Sequence, residues 1–308
     1  MTLNITSSAV SLDPPFYYSP RHRLIDNAPD HLVTLAVPII AYWSLSLIFH
    51  VLDMSGWKWL DKYRIHESEE VKKRNLVGRT EVVLAVIFQQ VIQTLMGLVW
   101  LEEEIIVPGG RAMVVKEGLK SGIVTASSVV GKEEMIAKAA WFMYWWGVPI
   151  FQFFAAMFFI DTWQYFLHRA MHTNKFLYKS FHSWHHRLYV PYAFGSLYNH
   201  PVEGFLLDTL GAALAEWLTG MSTRQAMVLF IVSTFKTVDD HCGYSLPWDP
   251  LQMFSGNNAD YHDIHHQVIG IKSNFAQPFF VHWDTLLGTK MTREDMERRK
   301  KKSGGKTE

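Results

Sequence analysis

The segment AAWFMYWWGVPIFQFFAAMFFIDTWQYFLHRAMH, residues 139–172, joins a long apolar run directly to a pair of histidines. The run from Ala139 to Ile160 contains no charged side chain. A helix needs about 20 apolar residues to cross about 30 Å of hydrocarbon, so this run is long enough to span a membrane. If the helix continues past Ile160, His168 lies about 12 Å beyond the hydrocarbon, at about 1.5 Å per residue. The segment therefore predicts a histidine site just outside a bilayer.

Two further apolar runs have the same character. Leu32 to Phe49 and Val82 to Leu101 are also uncharged and long enough to span. Of the 308 residues, 49% are hydrophobic and only 19% are charged, an unusually apolar balance for a soluble protein. The alternative is a large soluble globule, but three uncharged runs of this length are difficult to bury in one core. We therefore expect an all-α, multi-pass membrane protein.

A later pair of apolar segments is shorter. Phe205 to Leu218 and Gln225 to Phe235 are separated by a short polar turn, and Asp208 and Glu216 interrupt the first of them. The pattern predicts a helical hairpin that either spans the membrane or enters it only in part.

These segments divide the chain into three regions. Residues 1–138 hold the first two spans and their loops. Residues 139–290 hold the third span, the hairpin and the clustered histidines, and residues 291–308 form a basic tail.

The distribution of lysine and arginine predicts the orientation. The loop from Asp53 to Glu81 carries seven of them, whereas the leader before the first span has only Arg21 and Arg23. Loops rich in positive charge stay on the cytosolic side. The segment from residue 102 to residue 138 carries five, so the bias is modest. Alternation of the spans then predicts a cytosolic histidine region and a cytosolic tail.

The overall charge argues against a nucleic-acid partner, and the cysteine content excludes an internal disulfide and a thiolate zinc site. Lys plus Arg and Asp plus Glu are equal at 29 each, so there is no global basic field for nucleic acid. The single cysteine, Cys242, cannot form an internal disulfide, and no CxxC pair offers a thiolate site for zinc. Any metal must therefore rest on nitrogen or oxygen ligands.

Ten of the fifteen histidines fall between His168 and His266. They occur in the stretches HRAMH, HSWHH, NHPVEG, DDHCGY and HDIHH. Residues four apart share a helix face, so His168 and His172 can offer both rings to one point. The two HxxHH triplets are each expected to present a single imidazole face; they are His182, His185 and His186, and His262, His265 and His266. The isolated histidines are expected to be structural: His22, His31, His50, His66 and His282.

This clustering predicts metal binding. Eight imidazoles brought together without a metal would lose hydration or repel on protonation, whereas a divalent metal makes their convergence favourable. One structural zinc ion takes about four ligands, so eight or more histidines imply two ions. Imidazole ligands suit iron, copper, zinc and nickel alike. The Glu-x-x-His pairs of di-iron carboxylate bundles are absent from the sequence.

The order HxxxH, HxxHH and, after the hairpin, a second HxxHH resembles the fatty acid hydroxylase and sterol desaturase superfamily of membrane di-iron enzymes. The resemblance covers roughly Phe154 to Thr289. The stretches NKFLYKSFHSWHHRLYVPYAFGSLYNHPVEG, KTVDDHCGYSLPWDP and ADYHDIHHQVIGIKSNFAQPFF are most similar to those of the fungal and plant sphinganine hydroxylases, which oxidise carbon 4 of a long-chain base.

The resemblance implies an O₂-dependent hydroxylation at a pair of iron ions, converting sphinganine or dihydroceramide to phytosphingosine or phytoceramide. One oxygen atom enters the lipid and the other leaves as water. Electrons would come from NAD(P)H through a reductase and cytochrome b5 at the endoplasmic reticulum membrane. The sequence has no Gly-rich dinucleotide fingerprint, so a partner must deliver the reductant.

The resemblance also implies a set of ligands: His168, His172, His182, His185, His186, His241, His262, His265 and His266. Relatives with ten histidines have another shortly after the position of His241, where this chain has only Tyr244 and Ser245. His200 or a water molecule could fill that coordination position, or His200 could cap or hydrogen-bond the loop beside Pro201. Three carboxylates, Asp161, Asp239 and Asp240, could accept from the outer ring nitrogens of the ligands or serve as caps.

Two groups of alternatives remain open. The same scaffold could hydroxylate a sterol or a fatty acyl chain, or act as a desaturase or decarbonylase. A membrane metal transporter is a different class, but transport predicts ionisable groups inside the spans, and the three long runs contain none.

Overall fold

The computed structural model describes residues 14–18, 21, 23–101 and 130–304. These residues form helices joined by turns, and only isolated bridges, without a β-strand, occur among them. The first thirteen residues of the leader and residues 102–129 of the second loop lie outside the described residues.

The first half of the described chain contains five α-helices and a π-helical turn. The helices are α1 (Asp30–Met54), α2 (Lys58–Asp61), α3 (Ser68–Arg74), α4 (Arg79–Trp100) and α5 (Val130–Phe142). The π-helical turn, Met143–Gly147, leads directly into α6 (Val148–Thr173).

The second half consists of shorter pieces around one helical hairpin. After α7 (Lys175–Leu177) come a π-turn (Tyr178–His182) and two 3₁₀ turns (His185–Arg187 and Ala193–Leu197). The hairpin comprises α8 (Pro201–Gly204), a π-turn (Phe205–Leu210), α9 (Gly211–Thr219) and α10 (Thr223–Asp240). The chain ends with α11 (Pro250–Met253), α12 (Ala259–His266), α13 (His282–Leu286) and α14 (Arg293–Gly304).

Three stretches are long and apolar enough to cross a membrane: Asp30–Met54, Arg79–Val99 and Met135–Thr173. The first and third contain a predicted span, and the second overlaps the predicted run Val82 to Leu101 up to Val99, which confirms the prediction of a multi-pass helical protein. The most apolar windows are only 28%, 28% and 17% buried in the protein. A core helix of a soluble globule would be buried on all sides. Their outward apolar surface therefore favours lipid as the surrounding medium.

The third span continues as a helix beyond Ile160, as the sequence predicts. Helix α6 ends only at Thr173, so His168 and His172 lie in its last two turns. The membrane span and the first pair of histidines therefore belong to one rigid element.

The hairpin runs the length of the helical bundle. Helix α9 packs on α6 and α10 packs on α1. At the tip, Arg224 Nε lies 2.7 Å from Asp30 Oδ2 at the first residue of α1. Gln152 of α6 donates to the carbonyls of Thr219 and Gly220, both at 3.0 Å. The tip thus reaches the level of the α1 N-terminus, which supports a hairpin as deep as the neighbouring span.

The other end of the bundle is closed by the irregular connections. Tyr42 in α1 donates its hydroxyl to the Phe194 carbonyl at 2.7 Å, and Phe49 stacks on Tyr244 with ring centroids 6.3 Å apart. These contacts attach the first span to the segments that carry the histidines.

Candidate metal centre

Nine histidines converge in two adjacent groups at the closed end of the bundle. The first group comprises His168, His172, His182, His186 and His265, and the second comprises His185, His241, His262 and His266. Within each group the potential ligand atoms all lie within 4.8 Å of one another, and all nine residues are buried. The rings of His186 and His266 are 4.8 Å apart, so the two groups are adjacent.

The histidine triplets are divided between the groups, so the expectation that each triplet presents a single imidazole face is wrong. In α12, His262 and His266 point to the second group and His265 to the first. Successive residues of an α-helix are rotated by about 100°, so adjacent side chains such as His265 and His266 diverge.

The HSWHH triplet is divided in the same way but is not on an α-helix. His182 ends a π-turn and His185 begins a 3₁₀ turn. His182 and His186 join the first group, while His185 joins the second. Each triplet therefore contributes to both groups and holds them side by side.

Most of the ring Nδ1 atoms point away from the centre and donate to protein oxygens. Five donate to backbone carbonyls at 2.7–3.2 Å: His168 to Phe275, His185 to Tyr198, His241 to Thr237, His265 to Ser273 and His266 to Leu188. A carbonyl can only accept, so these contacts fix the proton on Nδ1. The Nε2 lone pairs of these five rings are therefore directed into the two groups.

The sixth Nδ1 donates to a carboxylate. His182 Nδ1 lies 2.5 Å from Glu203 Oε1, and both side chains are 1% exposed. Carboxylates commonly hold and orient histidines that bind metals in this way. Glu203 lies in α8, at the start of the hairpin, and thereby links the hairpin to the first group.

The Nε2 atoms are packed too closely to be stable without a cation. His168 Nε2 and His182 Nε2 are 3.0 Å apart, although both Nδ1 atoms donate elsewhere. Two neutral rings of this tautomer present lone pair to lone pair and cannot hydrogen-bond. His265 Nε2 is buried without any hydrogen-bond partner. A metal ion satisfies all these atoms, so the donor set fits metals that bind imidazole.

Burial keeps the rings in the form that binds metal. It lowers the pKa of His185 to about 4 and the pKa values of His241 and His265 to about 3. Burial, followed by the charges of neighbouring imidazoles, also lowers the pKa of His186 and His262 well below the ordinary value. These rings are therefore neutral at pH 7 and their lone pairs are available.

His200 lies outside both groups. Its Nδ1 accepts from the Val202 backbone N–H at 3.2 Å, so it caps α8 beside Pro201. The structure thus gives His200 the capping position that the sequence left open.

The three carboxylates predicted beside the ligands are engaged elsewhere. Asp161 accepts from the Phe279 and Phe280 backbone N–H groups, at 3.0 and 2.5 Å. Asp239 accepts from Gln252, and Asp240 pairs with Lys236. These groups hold the connections around the site, so they position it only indirectly.

A cavity of about 320 Å³ lies beside the histidine region. At one end its lining includes Thr237, whose carbonyl accepts from His241, and Gln164, one turn before His168. At the other end it is lined by Leu35 of α1 and by Gly97 of α4. The cavity thus connects the edge of the metal centre with the interior of the bundle.

The family comparison agrees with this arrangement. The model of the fatty acid hydroxylase family matches residues 153–289, the region that contains all nine converging histidines. The sphingolipid C4-hydroxylase SUR2 of Saccharomyces cerevisiae is 50% identical over 90% of this chain and 76% of its own length. The chain belongs to the fatty acid hydroxylase family.

Two further relatives also match over most of their length. The sphinganine C4-monooxygenase 1 of Arabidopsis thaliana is 45% identical over 85% of this chain and 88% of its own. The very-long-chain aldehyde decarbonylase GL1-9 of Oryza sativa subsp. japonica is 40% identical over 85% and 89%. No solved structure matches the chain.

Sequence reasoning missed one side chain of this hydroxylase centre, Glu203. It belongs to the stretch NHPVEG, where the only signal is an acid three residues after His200. That spacing does not reveal a partner twenty-one residues away in the sequence. The backbone carbonyls that accept from the histidines cannot be recognised in the sequence, because every residue carries a backbone carbonyl.

Proposed function

We propose that this protein is a sphinganine C4-monooxygenase that uses two iron ions. The single observation that carries the proposal is the pair of buried histidine groups, in a chain similar throughout to sphingolipid C4-hydroxylases. The five Nε2-presenting rings with carbonyl acceptors, together with His182, His172, His186 and His262, would hold the irons. When bound, the irons supply the activation of O₂ that hydroxylation of an unactivated carbon requires.

The protein's own groups bind and place the lipid. The cavity is lined largely by apolar surface and lies among the spans, so it suits a long alkyl chain. A chain held there can bring only a few carbons close to Thr237 and Gln164, the lining residues next to the histidines. The carbon that reacts is therefore selected by depth in the cavity, because positioning is what restricts attack to one methylene.

The electrons would come from cytochrome b5 and its NAD(P)H reductase, with the histidine region on the cytosolic face of the endoplasmic reticulum membrane. Two features of the sequence support this. The loop between the first two spans is rich in Lys and Arg, and the chain lacks a dinucleotide fingerprint.

The proposal is tested by reconstitution. The purified protein in lipid nanodiscs is supplied with cytochrome b5, its reductase, NADH, O₂ and sphinganine, and products are identified by mass spectrometry. We expect 4-hydroxysphinganine and close to two irons per chain. A preparation with fewer than two bound transition metal ions, or one that forms a double bond instead of the 4-hydroxyl group, would refute the proposal.

The rice relative gives a specific reason to test a second activity, because it is named as an aldehyde decarbonylase. The same preparation is therefore incubated with a very-long-chain aldehyde. Formation of the shortened hydrocarbon at a higher rate than hydroxylated base would favour that activity. Sterol and fatty acyl substrates are compared in the same assay.

A further inference from the structure

The hairpin places a carboxylate, Asp208, in the wall of the cavity. Asp208 lies in the π-turn Phe205–Leu210, five residues after Glu203. Glu203 accepts from His182 of the first histidine group, so one segment of the hairpin both contacts the histidines and lines the cavity. Asp208 therefore offers a carboxylate to a ligand in the cavity, on the segment of the hairpin that also contacts the histidine region.

Asp208 has little to compensate its charge within the protein. Its one hydrogen bond is from Gln89 Nε2 at 3.5 Å, the outer limit of a hydrogen bond. No ion pair joins Asp208 to a cationic side chain in the part of the chain that the structure describes. A carboxylate removed from water is costly unless a cation or several donors approach it. The site is therefore suited to a cationic ligand group entering the cavity.

Neighbouring polar atoms are also unsatisfied. Thr209 Oγ1 and Ser233 Oγ belong to residues that line the cavity, and both atoms are buried without a hydrogen-bond partner. Gln89 Oε1, beside Asp208, is likewise buried and unpartnered. Buried polar groups are normally satisfied, so several orphans around one cavity indicate that a polar ligand completes them. All three atoms can accept, and the two hydroxyls can also donate.

We infer that Asp208 binds the ammonium group of a free long-chain base, with Thr209 and Ser233 contacting the neighbouring hydroxyls. This inference rests on the proposed function. Sphinganine carries an ammonium on carbon 2 and hydroxyls on carbons 1 and 3, immediately beside the carbon that is hydroxylated. N-acylation replaces the ammonium by a neutral amide. Asp208 is thus a specificity-determining residue that favours the free base over the ceramide.

The test compares two substrates in the nanodisc assay. D208N preserves the shape of the side chain and an oxygen that can accept from Gln89, but it removes the charge. We expect the KM for sphinganine to rise by about 10- to 100-fold, as for a lost hydrogen bond to a charged group, while kcat changes little. The KM for N-acetylsphinganine should change by less than about twofold. Equal rises for both substrates, or no rise for sphinganine, would overturn the inference.

Two further variants make the comparison specific. S233A removes a hydroxyl that faces groups present in both lipids, so it should raise both KM values by a similar factor. D295N removes an exposed acid on α14 and should change neither. Iron content and melting temperature report whether D208N is correctly folded.

A competition experiment needs no variant. Octadecylamine should inhibit the wild-type protein at least about tenfold more strongly than octadecanol, because only the amine carries the cation. Equal inhibition would exclude an ammonium site. If C4 hydroxylation itself were wrong, the wild type would form no 4-hydroxylated product from either lipid, and direct binding of radiolabelled sphinganine to wild type and D208N would still decide the role of Asp208.

Discussion

The tautomer of six of the nine converging imidazoles is set by one oxygen atom outside the histidine groups. His241 illustrates this, because its Nδ1 donates to the Thr237 carbonyl at 2.8 Å and its Nε2 lies 3.0 Å from His262 Nε2. Backbone carbonyls are placed by the fold and are not lost on side-chain substitution. The exception is His182, whose acceptor is the Glu203 carboxylate and can therefore be altered by mutation.

Glu203→Gln should weaken metal binding in the first histidine group. The amide keeps an oxygen that can accept from His182, but it lacks the negative charge that raises the basicity of the ring. Loss of such a partner reduces metal affinity by about 10- to 100-fold. Iron retained after dialysis against graded chelator concentrations measures the effect. Unchanged retention would show that Glu203 does not support the site.

Replacement of a converging histidine should differ from replacement of His200. His185→Ala removes one of four potential ligands from the second group, so we expect turnover to be abolished and iron per chain to fall, while membrane insertion is intact. His200→Ala removes only a cap of α8 and should leave the iron content unchanged, with a stability loss of about 1 kcal/mol. Metal analysis of both variants distinguishes the two positions. A fall in iron content for His200→Ala would return His200 to the ligand set.

At the scale of elements, α12 depends on the turn that follows it. A Cβ atom on Gly270 would collide with the carbonyl oxygen of Ile264, which lies between the converging histidines His262 and His265. This contact involves backbone, so a side chain cannot simply move away. Glycine is therefore required for the turn to pack against the helix that supplies both histidine groups.

Gly270→Ala should displace α12 and lower the stability by at least about 1–3 kcal/mol, the usual cost of overpacking. Gly78→Ala is the matched control, because no atom lies within 4 Å of the added methyl group. Thermal unfolding and iron content of both variants provide the measurements. The idea fails if the two variants behave alike.

Helix α12 is also tied to the loop between the first two spans. His66 Nε2 lies 2.7 Å from Asp263 Oδ1, and its Nδ1 lies 3.2 Å from Glu70 Oε2. Burial alone would lower the pKa of His66, but the hydrogen bond and charge of Asp263 and the charge of Glu70 outweigh it and raise the pKa. The protonated ring therefore stabilises the folded state.

The contribution of His66 should depend on pH in a defined direction. Because its folded pKa is raised, the stabilisation is complete below the unfolded pKa of about 6.5 and is lost as the pH rises through the folded pKa. His66→Gln should lower the melting temperature by about 2–4 °C at low pH and by less at high pH. Melting curves of wild type and variant from pH 5.5 to 9 measure the difference. A difference that grows with pH would contradict the assignment.

At the scale of the molecule, the cavity joins the membrane interior to the histidine groups. Its lining combines α1, α4, α6 and both arms of the hairpin, so no single element defines its length. Ala213 of α9 and Phe230 of α10 lie along this path. The length of alkyl chain that fits in the cavity is therefore set by several helices together.

Ala213→Phe should shorten the space available to the alkyl chain. We expect kcat/KM for sphinganine to fall by at least about tenfold, and a short-chain base to be affected much less. Val228→Phe is the control, because Val228 is 51% exposed on α10 and does not line the cavity. The ratio of the two substrates' kcat/KM values is the readout. A parallel loss for both chain lengths would argue against a cavity that holds the tail.

The sequence by itself determined the features that depend on local composition. Uncharged apolar runs make membrane spans wherever they occur, and the structure confirms the three that were predicted. The clustered histidines were also recognisable, because HxxxH and HxxHH are local spacings. The division into residues 1–138, 139–290 and 291–308 stays a prediction, although α1 packs closely on α10 across the first of these boundaries.

Only the tertiary structure decided how those histidines are shared. Whether His265 and His266 serve one group or two depends on the rotation of α12 about its axis, which packing sets. The position of His200, the pairing of Glu203 with His182 and the exposure of Asp208 to the cavity are equally long-range. Spacing along a regular helix determines which side chains share a face. The histidine group that each side chain joins is determined only when separate helices pack together.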